Sequence, residues 1–149
     1  MRKLIQASLI ASMLLTSAAW AQNNASPVGL WKTIDDETGK PKAMVRVTEE
    51  NGALQGKIEK LFRGPNEDQN PKCVECKDSR KNQPIIGMTI VSGLKKDGNE
   101  YTGGEILDPA KGKVYRSKAT LRDGGQKLEV RGYIGAPMFG RSQVWQREQ

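Results

Sequence analysis

The sequence has 149 residues, with 24 Lys and Arg against 17 Asp and Glu, a net charge of +7 and no His. Without His the chain cannot form a Ser-His-Asp triad, and it lacks a common partner of cysteine in zinc sites. Its basic and acidic residues are interspersed and form no basic block, which argues against nucleic-acid binding. We expect a single domain with a mildly basic surface.

Residues 1–21 have the three parts of a secretory signal peptide. Arg2 and Lys3 give the positive start, an apolar stretch follows, and a small-x-small motif ends at Ala21. A retained membrane anchor is the alternative. However, four Ser and Thr residues dilute the apolar stretch, which is short for the roughly 20 residues that cross a bilayer. We expect cleavage after Ala21, no membrane span, and a mature chain of residues 22–149 that is periplasmic or secreted.

Short strands separated by turns dominate the rest of the sequence. Residues 22–28 are small and polar and are interpreted as a flexible leader, and residues 29–149 as the single domain. Turn signals such as Asn51-Gly52 recur at close intervals. Alternation of apolar and polar residues between these turns predicts eight strands. They are residues 29–34, 42–49, 54–62, 87–95, 100–107, 113–122, 127–134 and 141–148.

The connections between these strands predict an all-β fold. Because short hairpins join most successive strands, the pairing should be sequential and antiparallel. An eight-stranded up-and-down barrel and a two-sheet sandwich both satisfy this pattern, and we favour the barrel because closure removes exposed edges. One long loop, residues 63–86 between strands 3 and 4, breaks the pattern and holds both cysteines, Cys73 and Cys76.

Six motifs, taken in order, resemble a bacterial exported family known as domain of unknown function 2147. They are Gly29-Leu-Trp31, Cys73-Val-Glu-Cys76, Tyr101-Thr-Gly-Gly-Glu-Ile-Leu-Asp-Pro109, Gly112-Lys-Val-Tyr115, Val130-Arg-Gly-Tyr-Ile-Gly135 and Gly140-Arg-Ser-Gln-Val-Trp145. The similarity covers nearly all of the mature chain.

The resemblance implies a lipocalin-like, calycin-type barrel outside the cytoplasm with no settled activity. Lipocalins begin with Gly-x-Trp on the first strand, and a basic side chain near the last strand packs over the Trp. Arg147 is the expected partner of Trp31, with Arg131 as the second choice. A guanidinium over an indole contributes about 0.5–2 kcal/mol and would close the base of the barrel.

The two cysteines admit three interpretations. A thioredoxin-type redox pair needs its first Cys at a helix N-terminus, but Cys73 follows Asn-Pro-Lys in a polar loop. A zinc site would need two further ligands. We therefore predict a local loop disulfide between Cys73 and Cys76, no metal and no cofactor.

Catalytic carboxylates find little support in the sequence. Glu105 and Asp108 are the best-placed acids. Asp108 precedes Pro109, as a turn-forming Asp does, and Glu105 fits a solvated outward position. Glycines within the predicted strands, among them Gly56 and Gly132, are interpreted as bends, and small residues on inward faces would leave room in the interior.

Aromatic and basic residues near the C-terminus are the strongest candidates for ligand binding. Trp145 and Arg147 share one face of the last strand, and Arg131 and Tyr133 share one face of the strand before. If the strands are adjacent, these four side chains could form one patch; ordinary packing with a surface cation is the alternative. The candidate ligand-binding set is Trp31, Tyr115, Arg131, Tyr133, Trp145 and Arg147.

We expect a non-enzymatic module that binds a small apolar or anionic ligand. The alternative is a structural or interaction protein of the cell envelope, with a filled core, that meets a protein partner through the 63–86 loop or the 136–140 tip. The volume of the interior discriminates between the two, because a filled barrel favours the alternative.

Overall fold

The computed structural model describes residues 25–148, so the predicted signal peptide and residues 22–24 lie outside the described residues. The eight predicted strands are confirmed, with ends that differ by two residues at most. They are β1 (Gly29–Ile34), β2 (Pro41–Glu50), β3 (Ala53–Leu61), β4 (Thr89–Asp97), β5 (Glu100–Asp108), β6 (Lys113–Arg122), β7 (Lys127–Tyr133) and β8 (Gly140–Arg147).

The strands form a closed barrel in which each strand pairs with its neighbours in sequence. All pairings are antiparallel, and β1 closes the barrel on β8 through the pairs Trp31–Arg147 and Lys32–Gln146. The prediction of an eight-stranded up-and-down barrel is therefore confirmed, and the sandwich alternative is wrong. Closure leaves no long unpaired edge among the described strands.

Tight turns join the strands at one end of the barrel, which we call the base. Asn51 and Gly52, between β2 and β3, have φ angles of 53° and 78°. Two successive positive φ angles match the twist of a two-residue hairpin, and this explains the Asn-Gly sequence. The other turns at the base join β4 to β5 and β6 to β7, and both chain ends of the described barrel also lie there.

The connections at the opposite end, the mouth, are longer. They are residues 35–40, 62–88, 109–112 and 134–139. The barrel interior between the two ends is apolar, since alternate residues of each strand point inward. Among the buried apolar residues are Trp31, Val45, Ile58, Leu94, Leu107, Ala119, Leu128, Val130 and Trp145.

The long 62–88 connection is ordered by its own contacts and by the barrel. A disulfide joins Cys73 to Cys76, as predicted. The Cys73 N–H donates to Gln83 O at 2.9 Å, and the Asn82 N–H donates to Cys73 O at 2.8 Å. Both sulfur-bearing residues are fully buried and belong to the hydrophobic core, which the polar sequence around them did not indicate.

Gly112 shows how closely this loop packs on the turn between β5 and β6. A Cβ atom at Gly112 would collide with the backbone of Glu75, and its φ of +64° also favours glycine. The disulfide segment therefore sits directly on the neighbouring mouth turn.

Candidate functional site

The base of the barrel is closed by Trp31 and Arg147. Trp31 is fully buried, and the Arg147 guanidinium lies over its ring, 4.4 Å from the centroid. The prediction that Arg147 is the basic partner of this Trp is confirmed. The Trp31 indole N–H donates to Pro27 O at 2.7 Å.

Arg147 also ties residues 25–28 to the turn between β6 and β7. Its guanidinium donates to Gly125 O at 2.7 Å, to Val28 O at 3.0 Å and to Ser26 O at 2.6 Å. Partial burial lowers the pKa of Arg147, and the three carbonyl groups offset its lost hydration. Residues 25–28, predicted as part of a flexible leader, are thus held against the base.

A cavity of about 630 Å³ opens at the mouth and extends into the barrel. Its walls are predominantly apolar. They include Ala43, Val45, Ile58, Leu61, Ile85, Ile90, Ile106, Leu107, Val130, Ile134, Phe139 and Trp145. Ile85 comes from the 62–88 connection, so that loop supplies part of the cavity wall as well as part of the mouth.

Gly132, and not Gly56, borders this cavity. Gly132 lines the cavity, although a Cβ there would lie 3.3 Å from Ile106 and 3.4 Å from Tyr115. Gly56 is instead packed tightly, because a Cβ there would lie 3.1 Å from both Val45 and Val91. The expectation that Gly56 leaves room is therefore wrong. Ser117 is buried, and its hydroxyl has no hydrogen-bond partner among residues 25–148.

A few polar groups are placed among the apolar walls. Gln143 lines the cavity and accepts a hydrogen bond from the Trp145 indole N–H at 3.3 Å. Thr33 also lines the cavity, and its hydroxyl accepts from the Ala43 N–H at 3.1 Å. The half-buried Tyr115 adds a phenol group. An apolar cavity with a few fixed polar groups is typical of small-molecule sites.

Asp35 and Asp36, two of the four acids that line the cavity, are already engaged. Asp35 accepts backbone N–H groups of Glu37 and Thr38, both at 2.9 Å, and these bonds lower its pKa. Asp36 pairs with Arg141, and this bond lowers the pKa of the carboxyl.

Lys42 lines the cavity and attracts Asp35, and two further basic side chains at the mouth, Arg63 and Lys111, remain available. Both line the cavity, and neither side chain has a hydrogen bond or ion pair within residues 25–148. The mouth therefore offers two cations, and it also holds Glu37, whose carboxylate attracts Arg141 without a hydrogen bond or ion pair within residues 25–148.

The two candidate acids differ in position, because Asp108 lines the cavity and Glu105 does not. Asp108 accepts the Ala110 N–H at 3.0 Å, as expected of a turn-forming Asp before Pro109. Glu105 is exposed. The absence of enzymatic activity stays a prediction. Within residues 25–148, no group of three or more His, Cys, Asp or Glu side chains is placed to hold a metal ion.

The four residues of the possible patch on the last two strands do not lie together, in agreement with the interpretation as ordinary packing. The strands are adjacent, but the register pairs Leu128 with Trp145 and Arg131 with Ser142. Trp145 points into the barrel, whereas Arg131 and Tyr133 lie on its outer face because Val130 and Gly132 occupy the inner face.

The six candidate residues thus fall into three groups. Tyr115 and Trp145 line the cavity, and their role in ligand binding stays a prediction. Trp31 and Arg147 form the base. The outer-face pair, Arg131 and Tyr133, lies outside the cavity.

Several cavity residues were missed, and one signal in the sequence could have found two of them. Arg141 and Gln143 lie four and two residues before Trp145, so the period of two places all three on the inner face of β8. Arg63 and Lys111 lie in connections, where no period applies, and only the folded chain brings them together.

A closed antiparallel barrel with eight strands, a Trp–Arg base and a cavity open at the other end is a lipocalin-like barrel. Residues 29–147 match the model of the family described as uncharacterized protein conserved in bacteria (DUF2147). The chain belongs to this family. None of the helical structure in residues 25–148 has the length and apolar character of a transmembrane segment.

A solved structure supports the fold. It is described as "Protein HP1028 from the human pathogen Helicobacter pylori belongs to the lipocalin family". The two chains are 20% identical, with a TM-score of 0.69 over 83% of this chain and 84% of that one. A comparison with curated proteins gives no match.

Proposed function

We propose that the protein is an exported, non-enzymatic carrier that binds one small apolar or amphipathic anionic molecule inside the barrel. One observation carries the proposal: the interior contains a cavity of about 630 Å³. Ligand pockets commonly have volumes of about 300–1,000 Å³. A purely structural envelope module, the alternative, would need no such cavity.

The lining favours a ligand with an apolar body and a negative group. The deep walls are apolar, and burial of apolar ligand surface contributes roughly 25 cal/mol per Å² before the costs of association. Arg63 and Lys111 stand at the mouth without acidic partners and could bind a carboxylate or sulfonate there.

Export is the second part of the proposal. The signal-peptide pattern of residues 1–21 supports it, and the Cys73–Cys76 disulfide suits an oxidising compartment. Mass spectrometry of the protein from an envelope fraction of its host should give a chain that begins at Gln22. An intact N-terminus in the cytoplasmic fraction would contradict export.

Native mass spectrometry of protein purified from its own host tests the carrier function. A bound small molecule should appear as a mass increment that organic extraction removes. Ala43→Phe is the matched test variant because Ala43 lines the cavity and a larger side chain would occupy it. Val144→Phe is the control on the exposed outer face of β8.

We expect the increment to disappear in Ala43→Phe and to persist in Val144→Phe. Repeated absence of any bound molecule in the parent chain, or equal binding by both variants, would contradict a carrier role for the cavity.

A further inference from the structure

The loop between β7 and β8 holds apolar side chains in solvent at the mouth. Met138 is 76% exposed, Phe139 69% and Ile134 53%. We call these three residues the apolar rim. Exposed apolar groups that cluster at one place on a surface mark an interaction site more often than scattered ones do.

The fold fixes the apolar rim in this exposed position. Arg131, on the outer face of β7, donates to Pro137 O at 2.6 Å, to Gly140 O at 3.3 Å and to the Ser142 hydroxyl at 3.0 Å. Within the loop, the Ile134 N–H donates to Phe139 O at 3.2 Å. The loop is therefore built to present these side chains.

The apolar rim is continuous with the cavity. Ile134 and Phe139 line the cavity as well as the outer surface, so apolar contact runs from solvent into the barrel. Arg63 and Lys111 line the same opening without acidic partners among the described residues.

Positive charge is in excess over the domain as a whole, whereas acids and bases are equal in number among the residues that line the opening: Asp35, Asp36, Glu37 and Asp108 against Lys42, Arg63, Lys111 and Arg141. Arg141 pairs with Asp36 and also attracts Glu37. Loss of Arg2 and Lys3 with the signal peptide would leave 22 basic and 17 acidic residues, a net charge of +5. Such a surface is complementary to an anionic one.

We propose that the apolar rim docks the protein on an anionic phospholipid bilayer with the mouth facing the membrane. Met138 and Phe139 enter the boundary between headgroups and acyl chains, and Arg63 and Lys111 contact lipid phosphates. The inference goes beyond the carrier function, because docking requires only the rim and its cations and no occupied cavity.

Vesicle flotation tests the docking surface. Residues 22–149, which contain the whole described barrel, are mixed with vesicles of phosphatidylcholine and phosphatidylglycerol or of phosphatidylcholine alone. The double variant Met138→Ser, Phe139→Ser should lower partitioning onto the anionic vesicles by about tenfold or more. Val144→Ser, on the outer wall of β8 and 44% exposed, should change it by less than about twofold.

The charge contribution has its own matched pair. Lys111→Gln removes a cation at the mouth, and Lys96→Gln removes one from the end of β4 near the base. Only the first should weaken binding to the anionic vesicles, and added salt should reduce the difference.

Insertion is measured with Phe139→Trp and vesicles that carry brominated acyl chains. The native Trp31 and Trp145 are buried, so quenching beyond that of the parent chain reports the rim. Parent-chain quenching reports lipid that enters the cavity beside Trp145, which separates docking from the carrier function.

Three outcomes would overturn the proposal. One is the absence of binding to anionic vesicles by the parent chain. Another is equal binding by the Met138→Ser, Phe139→Ser variant and the Val144→Ser control. The third is a sedimentation experiment in which the parent chain self-associates, the Met138→Ser, Phe139→Ser variant does not, and neither binds vesicles. That result would assign the surface to a protein contact.

Discussion

Replacement of Trp31 by alanine is the sharpest test of the barrel base. The side chain is fully buried, its indole N–H donates to Pro27 O, and the Arg147 guanidinium covers its ring. Truncation of a buried Trp costs about 3–5 kcal/mol, because burial is lost and a void remains. The lost hydrogen bond, about 1 kcal/mol, and the lost cation–π contact, about 0.5–2 kcal/mol, place Trp31→Ala in the upper part of that range.

Urea denaturation of residues 22–149, followed by far-ultraviolet circular dichroism, measures this loss. We expect the free energy of unfolding to fall by about 4–5 kcal/mol and the Tm to fall by roughly 10–20 °C. Val144→Ala is the control, since an exposed side chain should change stability by no more than about 0.5 kcal/mol. A cooperative transition in which Trp31→Ala lowers the free energy of unfolding by less than about 1 kcal/mol would refute the role of Trp31 in closing the base, because a surface Trp would behave in that way.

Three further predictions concern the disulfide, an ion pair and the mouth. Reduction of the Cys73–Cys76 disulfide should speed amide hydrogen exchange in residues 62–88. It should lower the free energy of unfolding by no more than about 2 kcal/mol, since the closed loop is short. A larger loss would show that the disulfide supports the whole barrel. Carbon-13 titration should give Asp78 a pKa of about 2, because the side chain and backbone of Arg80 donate to its carboxylate. Because the pKa is lower in the folded state, this pair stabilises the fold at pH values above the unfolded-state pKa near 3.8. The contribution is lost as the pH falls toward 2. Arg80→Ala should return the value toward 3.8, and an unchanged titration would contradict the assignment. Lys111→Gln should weaken binding of the anionic fluorophore anilinonaphthalene sulfonate by about threefold to tenfold, with Lys96→Gln as the control, and equal affinities would exclude Lys111 from the site.

The sequence was sufficient for the barrel because its signals are local. Dipeptides such as Asn51-Gly52 mark the hairpins, and alternation between them gives the strands, so the strand ends deviate by two residues at most. The Trp31–Arg147 contact was also predicted, from the resemblance to lipocalins, in which a basic side chain near the last strand packs over the Trp of the first strand.

The candidate site was less predictable because it depends on register. Leu128 and Val130, two apolar residues at a spacing of two, indicate which face of β7 points inward. Arg131 lies on the other face. Whether the interior is hollow is not readable in this way. Gly56 and Gly132 look alike in the sequence, yet only the folded barrel shows that Gly132 borders the cavity and that Val45 and Val91, on the neighbouring strands, pack against Gly56.

The disulfide illustrates a second limit. Cys73 and Cys76 lie among polar residues, so the sequence indicates an exposed loop. Their burial arises because the loop folds onto the turn at Gly112, more than 30 residues further along the chain. Contacts of that separation have no local signature.

The two ends of the described barrel are fastened to each other as well as to the base. Arg147 binds Ser26 O, and the Glu148 N–H donates to Leu30 O at 2.8 Å. A short peptide linker between these ends should therefore permit circular permutation, with new termini placed in the β4–β5 turn. Attachment of the protein to a solid support through either natural end would orient every molecule with its opening toward the solution.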